Sequence, residues 1–200
     1  DYANLSGLRV DTYSYSDMDF LTAWTKRLMT EYPNLNIVGE EWSVNPSIVA
    51  FWQTGSMRHS DYRSYLTSVM DFPTQVKLVN ALQNNESWAT GLRELYENIA
   101  TDFVYGDPYN LVVFGDNHDM SRITSQFNED VDLFKMAMSY ILTTRGIPQI
   151  FYGTEVFMTN PGTDDHGIIR ADFPGGWEGD TTNAFTQSNF WLGMERLFRT

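Results

Sequence analysis

Five short apolar segments alternate with longer segments of helical periodicity along this chain, and this alternation restricts the fold more than any other feature. The apolar segments occupy residues 7–11, 36–40, 68–73, 111–114 and 149–153. Short apolar strands separated by helices are typical of a parallel sheet buried on both faces. Successive strands start about 30 to 45 residues apart, as expected of βα units with loop insertions. The sequence therefore predicts an α/β fold, and periodicity leaves open whether the sheet is doubly wound or part of a (β/α)8 barrel.

Helices are predicted between these strands. The first starts at a capping sequence over residues 16–19 and ends before Pro33, and others are predicted over residues 46–52 and 131–144. Another contains Leu92, Leu95 and Ile99 at helical spacing. Residues 156–188, rich in Gly, Asp, Thr and Asn, are predicted to form a long loop after the last strand, and residues 190–198 a closing helix.

The composition argues against several classes of partner. The chain has 13 basic and 26 acidic residues and a net charge of −13, and so acidic a surface repels nucleic acid and anionic membranes. No apolar run approaches the ~20 residues that span a bilayer, and no signal peptide is visible. The sequence leaves open whether the protein is exported or cytoplasmic. The absence of cysteine excludes disulfides, thiolate zinc sites and thiol nucleophiles. Aromatic residues form 15% of the chain, and aromatic faces beside carboxylates suit a neutral, hydroxyl-covered ligand such as a sugar.

Three carboxylates share one position relative to the predicted strands. Asp11, Glu40 and Asp119 each lie at or just beyond the carboxyl end of a strand, which is the edge where active sites assemble in parallel α/β folds. Taken singly, each could instead cap the following helix. Three carboxylates converging there repel one another and favour protonation of at least one, which creates an acid. Arg9 precedes Asp11 on the same strand face, and His118 adjoins Asp119.

These residues lie in segments that resemble the alpha-amylase superfamily of glycoside hydrolases. The three segments are Gly7-Leu8-Arg9-Val10-Asp11, Gly39-Glu40-Glu41-Trp42 and Phe114-Gly115-Asp116-Asn117-His118-Asp119. Residues 70–73 and 146–155 resemble the segments at the sixth and eighth strands of that family, and residues 169–177 are similar to the neopullulanase and cyclomaltodextrinase subgroup. The resemblance extends from about residue 5 to 180 and implies a (β/α)8 barrel.

The resemblance implies a role for each matching residue. Asp11 would be the nucleophile that forms a covalent glycosyl-enzyme, and Glu40 the general acid and then the base. Asp119 would hold substrate hydroxyls and distort the sugar ring, with His118 donating to neighbouring hydroxyls. Arg9 would keep Asp11 ionised, and the absence of a cation near Glu40 would leave that group free to hold a proton. Glu41 competes for the acid role, but adjacent strand residues face opposite sides, and the family pattern places the acid directly after the glycine.

Other candidates concern substrate contacts. Trp42 and Tyr152 are predicted to stack on glucose rings or to pack in the core. Asn117 is predicted to contact substrate. Arg170 and Asp165 lie in the long loop, where they suit solvated charges, with binding of a distal sugar as the alternative that makes Arg170 a candidate substrate contact. His59 and His166 are predicted to be isolated surface residues. A metal site built on His118 and Asp119 matches no ligand spacing, so no metal or cofactor is expected in this segment. The resemblance implies that a calcium site, where the family has one, would lie in a part of the full enzyme outside this segment.

Matching the motifs to the family makes the five strands the fourth to eighth of the barrel. Residues 1–200 would then be a partial catalytic domain without the first three strands and the C-terminal β-sandwich. The unpaired apolar edge of its first strand predicts self-association. Residues 12–15 stand where many alpha-amylases have a Lys-His pair, which weakens the interpretation as a plain starch alpha-amylase.

The predicted function is hydrolysis, with retention, of α-1,4-glucosidic bonds in maltodextrins, cyclodextrins or pullulan. A transglycosylase or glucosyl transferase would use the same three carboxylates and differ only in whether water or a sugar attacks the intermediate. A non-catalytic carbohydrate-binding module descended from such enzymes is the alternative from another class.

Overall fold

A computed structural model describes residues 5–184 of the chain and gives one five-stranded sheet. Its strands are β1 (Gly7–Val10), β2 (Asn36–Gly39), β3 (Ser68–Met70), β4 (Leu111–Phe114) and β5 (Ile147–Gln149). They lie in the order β1-β2-β3-β4-β5, and the first three pairings are parallel. A doubly wound sheet reverses its strand order at a switch point, whereas this order is strictly sequential. The predicted α/β fold is confirmed, as part of a (β/α)8 barrel.

The strands are connected by helices whose starts follow local capping signals. The α-helices are α1 (Met18–Glu31), α2 (Pro46–Trp52), α3 (Phe72–Gln83), α4 (Arg93–Ile99), α5 (Ile123–Gln126), α6 (Val131–Thr143) and α7 (His166–Ile169). Asp17 caps α1 by accepting a hydrogen bond from the Phe20 N–H at 2.9 Å, and Asn45 caps α2 in the same way through the Ser47 N–H. The predicted helices over residues 46–52 and 131–144 therefore form where expected.

The last strand differs from its prediction. It covers Ile147–Gln149 instead of residues 149–153 and contains Pro148. Proline has no N–H for a ladder and is tolerated at the edge of a sheet, and β5 is the last strand of the described sheet. The Thr154 N–H donates to the Phe151 carbonyl at 3.1 Å, so the residues after β5 form a turn.

The long segment after β5 is also more ordered than predicted. It contains the single-turn helix α7, which Asp165 caps through the Gly167 N–H at 2.7 Å, and a bridge between Gly175 and Asn183. The predicted closing helix over residues 190–198 lies outside the described residues.

The chain divides into two compact units. Among the described residues, the first comprises 5–114 and 144–148, with β1 to β4 and the first two residues of β5, and the second comprises 115–143 and 149–184. The core of the first unit is built of side chains from β2, β3, β4, helices α1 and α2 and the connecting loops; it includes Tyr13, Leu21, Ile37, Val49, Trp52, Leu66, Val69 and Leu111. Within residues 5–184, the helices are too short or too polar to cross a bilayer.

Candidate active site

The first unit brings Arg9, Asp11 and Glu40 together at the carboxyl ends of β1 and β2. Val10 pairs with Gly39 in the parallel register, so Asp11 and Glu40 each directly follow a paired strand end. Arg9 Nη1 donates to Asp11 Oδ2 at 3.0 Å, and Arg9 Nη2 donates to Glu40 Oε1. One guanidinium group therefore joins two carboxylates from neighbouring strands.

Backbone hydrogen bonds fix the two strand ends against each other. The Glu40 N–H donates to the Val10 carbonyl at 2.9 Å, and the Tyr13 N–H donates to the Glu40 carbonyl at 3.0 Å. Between them Thr12 adopts a left-handed backbone conformation with φ 44°, and its N–H donates to Glu40 Oε2 at 3.1 Å. Both Glu40 oxygens thus accept hydrogen bonds although the residue is only 5% exposed, whereas the Asp11 side chain is largely exposed.

The expectation that no cation lies near Glu40 is wrong. Arg9 contacts Glu40 as well as Asp11, because both strand ends lie within reach of the two terminal nitrogens of one guanidinium. Arg9 alone therefore does not distinguish the two carboxylates. Their difference comes from burial, which restricts access of water to Glu40, and from the Thr12 N–H, which contacts Glu40 only.

Trp42 lies just beyond Glu40 and Glu41 and is held by an aromatic neighbour. Its indole stacks on the Phe72 ring at a centroid distance of 4.7 Å, and Phe72, which is buried, contacts Phe114 edge-on at 5.0 Å. Trp42 itself is 52% exposed. It is therefore a surface side chain and is not packed in the core.

The second unit holds Asp119 in a separate group of polar contacts. Asp119 Oδ1 accepts a hydrogen bond from Arg170 Nη2 at 2.6 Å, Asp119 Oδ2 lies 3.1 Å from His118 Nε2, and the Asp119 N–H donates to Asn117 Oδ1 at 2.8 Å. Asn117 is buried, so it orients Asp119 through the backbone instead of facing solvent.

Arg170 is exposed, but its guanidinium is paired. Besides Asp119 it contacts the His118 carbonyl through Nε at 2.8 Å and His166 Nδ1 through Nη2 at 2.8 Å. The prediction that His166 is isolated is therefore wrong as well, although the residue is exposed. Helix α7 explains the contact between Arg170 and His166, because residues four apart lie on one face of a helix.

Tyr152 is half-exposed and already engaged. Its hydroxyl donates to the Ala171 carbonyl at 2.9 Å, and the Arg122 guanidinium lies 5.2 Å from its ring centroid. Arg122 is fully buried and donates to the Tyr152 and Ile169 carbonyls, both at 2.8 Å. Burial lowers the pKa of Arg122.

Two further carboxylates at strand ends escaped the sequence interpretation. Asp71 follows β3 and is fully buried; it caps α3 through the Thr74 N–H at 3.0 Å and accepts from Arg145 Nη1 at 2.7 Å. Asp116 follows β4, accepts from the Ile123 N–H at 2.9 Å, and burial raises its pKa to about 6. Both residues follow the end of a strand, as Asp11 does. Asp71 caps the following helix, which is the other role that the sequence leaves open for a carboxylate at this position.

Known proteins resemble this chain over most of its length. Residues 8–200 match the family model described as the catalytic domain of alpha amylase. A cyclomaltodextrin glucanotransferase from Geobacillus stearothermophilus is 30% identical over 171 residues, covering 84% of this chain and 22% of that enzyme. The chain thus spans about a fifth of the length of this enzyme and of the similar glucanotransferase from Niallia circulans.

Solved structures agree with this match. The crystal structure of an alpha-amylase from Geobacillus thermoleovorans in complex with acarbose is 27% identical, with a TM-score of 0.68 over 84% of this chain and 37% of that one. A cyclic alpha-maltosyl-(1→6)-maltose hydrolase from Arthrobacter globiformis has a TM-score of 0.73 at 17% identity, over 98% of this chain and 39% of that one, and shows the fold alone. Together with the sequential parallel sheet, the family match shows that this chain belongs to the alpha-amylase family.

Proposed function

We propose that this chain forms part of the catalytic domain of a retaining glycosidase that cleaves α-1,4-glucosidic bonds. The observation that supports this best is the joining of Asp11 and Glu40 through Arg9 at neighbouring strand ends. A retaining enzyme needs two carboxyl groups close enough to flank one glycosidic bond, one as nucleophile and one as acid. Asp11 is the exposed member of the pair, and Glu40 is the buried one.

In the proposed reaction Asp11 attacks the anomeric carbon. The bond from that carbon to the leaving sugar breaks, and Glu40 gives its proton to the departing oxygen. Water then attacks the same carbon, the ester bond to Asp11 breaks, and Glu40 takes the water proton. Both Glu40 oxygens accept hydrogen bonds in the structure, and either oxygen can still carry the proton that Glu40 gives to the leaving group.

Asp119 has a different proposed role. Arg170 and His118 hold its two oxygens and the Asn117 side chain holds its backbone, so its orientation is set before substrate arrives. A carboxylate placed in this way accepts hydrogen bonds from sugar hydroxyls and restrains the ring. Trp42, with its exposed indole, is proposed to stack on a glucose ring.

We further propose that the substrates are maltodextrins, cyclodextrins or pullulan, and that the chain lies at the fourth to eighth strands of the barrel. The neopullulanase-like residues 169–177 and a relative named for cyclomaltodextrin support this choice. That relative is a transferase, so transfer to a sugar acceptor is the second candidate, with the same Asp11 and Glu40 chemistry.

The test is release of reducing sugar from cyclomaltodextrin and soluble starch by the chain and by matched variants. Asp11→Asn and Glu40→Gln should each lower kcat at least about a hundredfold, while Glu41→Gln, which alters the neighbouring carboxylate, should leave kcat within about twofold. Product analysis with excess maltose separates transfer, which lengthens maltose, from hydrolysis.

Three results would change the proposal. If Glu41→Gln abolishes activity and Glu40→Gln does not, the acid is assigned to the wrong glutamate. Full activity in Asp11→Asn refutes the nucleophile. Binding of cyclomaltodextrin without turnover in the parent chain favours a carbohydrate-binding module.

A further inference from the structure

Helix α4 of the first unit presents apolar residues to solvent as well as to the core. Leu95 is buried, whereas Leu92, Tyr96 and Ile99 form a stripe at intervals of four and three residues and are exposed. Of these, Tyr96 is 77% exposed. A helix packed on one face usually exposes a polar stripe on the other, so this outward apolar stripe requires an explanation other than the core.

A groove of about 590 Å³ lies along this stripe. It is lined by Glu86, Leu92, Arg93, Tyr96, Glu97 and Ala100. Arg93 Nε donates to Glu97 Oε1 at 2.8 Å, and Glu86 Oε1 accepts from the Leu92 N–H at 2.9 Å. The groove therefore has a tyrosine ring and aliphatic surface beside charged groups of both signs, and its volume is that of a small-ligand cleft.

Trp88 extends this surface beyond the groove. The Arg93 guanidinium lies 5.4 Å from the Trp88 ring centroid, yet the residue is 87% exposed. Its loop is held by its own hydrogen bonds, from Thr90 Oγ1 to the Asn85 carbonyl at 2.7 Å and between the Ser87 and Thr90 hydroxyls at 2.6 Å. An exposed indole is thus held in place by a cation and an ordered loop.

We infer that Trp88, Tyr96 and the α4 groove form a second binding site for an α-glucan chain, apart from Asp11 and Glu40. The choice of an α-glucan rests on the proposed function; the site itself rests on the groove. Aromatic faces stack on the apolar faces of glucose rings. Arg93, Glu97 and Glu86 offer donors and acceptors to hydroxyls, which can bind without breaking the ion pair.

Two other occupants fit the groove less well. The net charge of −13 and the carboxylates of Glu86 and Glu97 disfavour a polyanion. A protein partner would have to desolvate the Arg93–Glu97 ion pair, which costs free energy that the pair's own attraction does not return. A neutral polyhydroxyl ligand avoids both costs.

The experiment measures binding separately from hydrolysis. The chain is run in native gels with and without soluble starch, and the binding of maltoheptaose is titrated calorimetrically, both in the Asp11→Asn background. The double variant Trp88→Ala/Tyr96→Ala should lose most of its retardation by starch, with at least about a fivefold weaker apparent affinity. Trp88→Phe, which keeps a flat ring, should retain it. Tyr109→Ala, which removes another exposed tyrosine of the first unit, is the matched control and should migrate like the parent.

The outcomes separate this site from the proposed activity. If starch retards the double variant as strongly as the parent, the proposed site is wrong. It is also wrong if the double variant no longer self-associates in sedimentation but still binds starch, because the surface would then be a contact between protein chains. If the parent chain hydrolyses neither starch nor cyclomaltodextrin but binds starch through Trp88 and Tyr96, the proposed function fails and the site stands. If the Trp88→Ala/Tyr96→Ala variant with Asp11 intact still hydrolyses a short maltooligosaccharide, while the same two substitutions in the Asp11→Asn background abolish starch retardation, both stand.

Discussion

Removing the Arg145 guanidinium should destabilise the first unit more than any other single charge change. Its Nη1 donates to Asp71 Oδ2 at 2.7 Å, its Nε to Asp102 Oδ2 at 2.8 Å and its Nη2 to Asp102 Oδ1 at 2.6 Å. Burial disfavours the charged guanidinium, but the hydrogen bonds and charges of Asp102 and Asp71 outweigh it and raise the pKa of Arg145. The arginine therefore stays charged at every pH at which the protein is folded.

The magnitude follows from what Arg145→Met leaves behind. Asp71 is fully inaccessible to solvent and would lose its only cation among the described contacts, while Asp102 is 20% exposed and can be partly hydrated. Breaking a buried ion pair by removing one partner costs about 3–5 kcal/mol. In a chain of this size about 1 kcal/mol shifts Tm by 2–4 °C, so Arg145→Met should lower Tm by about 6–20 °C.

Urea unfolding followed by circular dichroism gives the free energy of unfolding directly. Arg27→Met is the matched control, because it removes an exposed arginine paired with Glu31 at i,i+4, and it should cost no more than about 0.5 kcal/mol. Adding Asp71→Asn to Arg145→Met should recover part of the loss, since no unpaired charge then remains at that position. An Arg145→Met variant that unfolds within about 0.5 kcal/mol of the parent would refute the reasoning.

Three further changes have defined outcomes. Burial raises the pKa of Asp116 from 3.8 to about 6, so the fold favours the protonated form of this carboxyl. The resulting stabilisation is fully present below about pH 4 and is lost as the pH rises through 6, and it amounts to about 3 kcal/mol. Urea midpoints of the parent should fall relative to those of Asp116→Asn between pH 4 and 7, and parallel curves would contradict this. Gly39→Ala places a methyl group 2.7 Å from Leu66 Cδ2 and 3.0 Å from Tyr13 Cγ, both buried, and should lower the free energy of unfolding by about 1–3 kcal/mol in the same assay; an unchanged value would show that the strand end can relax. Arg170→Lys cannot hold Asp119, the His118 carbonyl and His166 together, and should lower kcat/KM for cyclomaltodextrin about 10- to 100-fold with little change in Tm; equal kcat/KM would exclude a positioning role for Arg170.

Local signals in the sequence were sufficient for most elements of the fold. Helix α2 starts at Asn45 and Pro46, a side-chain cap followed by a preorganised first residue, and it covers the predicted residues. The strand β4 is a continuous apolar run, and it is buried throughout. Such features depend on neighbours within a few residues, so they can be predicted without knowledge of the remaining chain.

Contacts between distant segments were not predictable in this way. The partners of Arg9 depend on the register of β1 against β2, which places Glu40, 31 residues away, beside the second guanidinium nitrogen. Leu92 and Leu95 look alike in the sequence, yet only Leu95 is buried, because periodicity shows that residues share a helix but not which face meets the core.

The sequence by itself determined the α/β alternation, the helix caps and the positions of Asp11, Glu40 and Asp119 beyond strand ends, since all of these follow from local composition and spacing. The tertiary structure decided the sequential strand order, the joining of Asp11 and Glu40 through one arginine, and the use of Asp71 as a buried helix cap. The physical reason is that a carboxylate at a strand end has several possible partners of similar energy. Only the packing of distant segments determines which one lies within hydrogen-bonding distance.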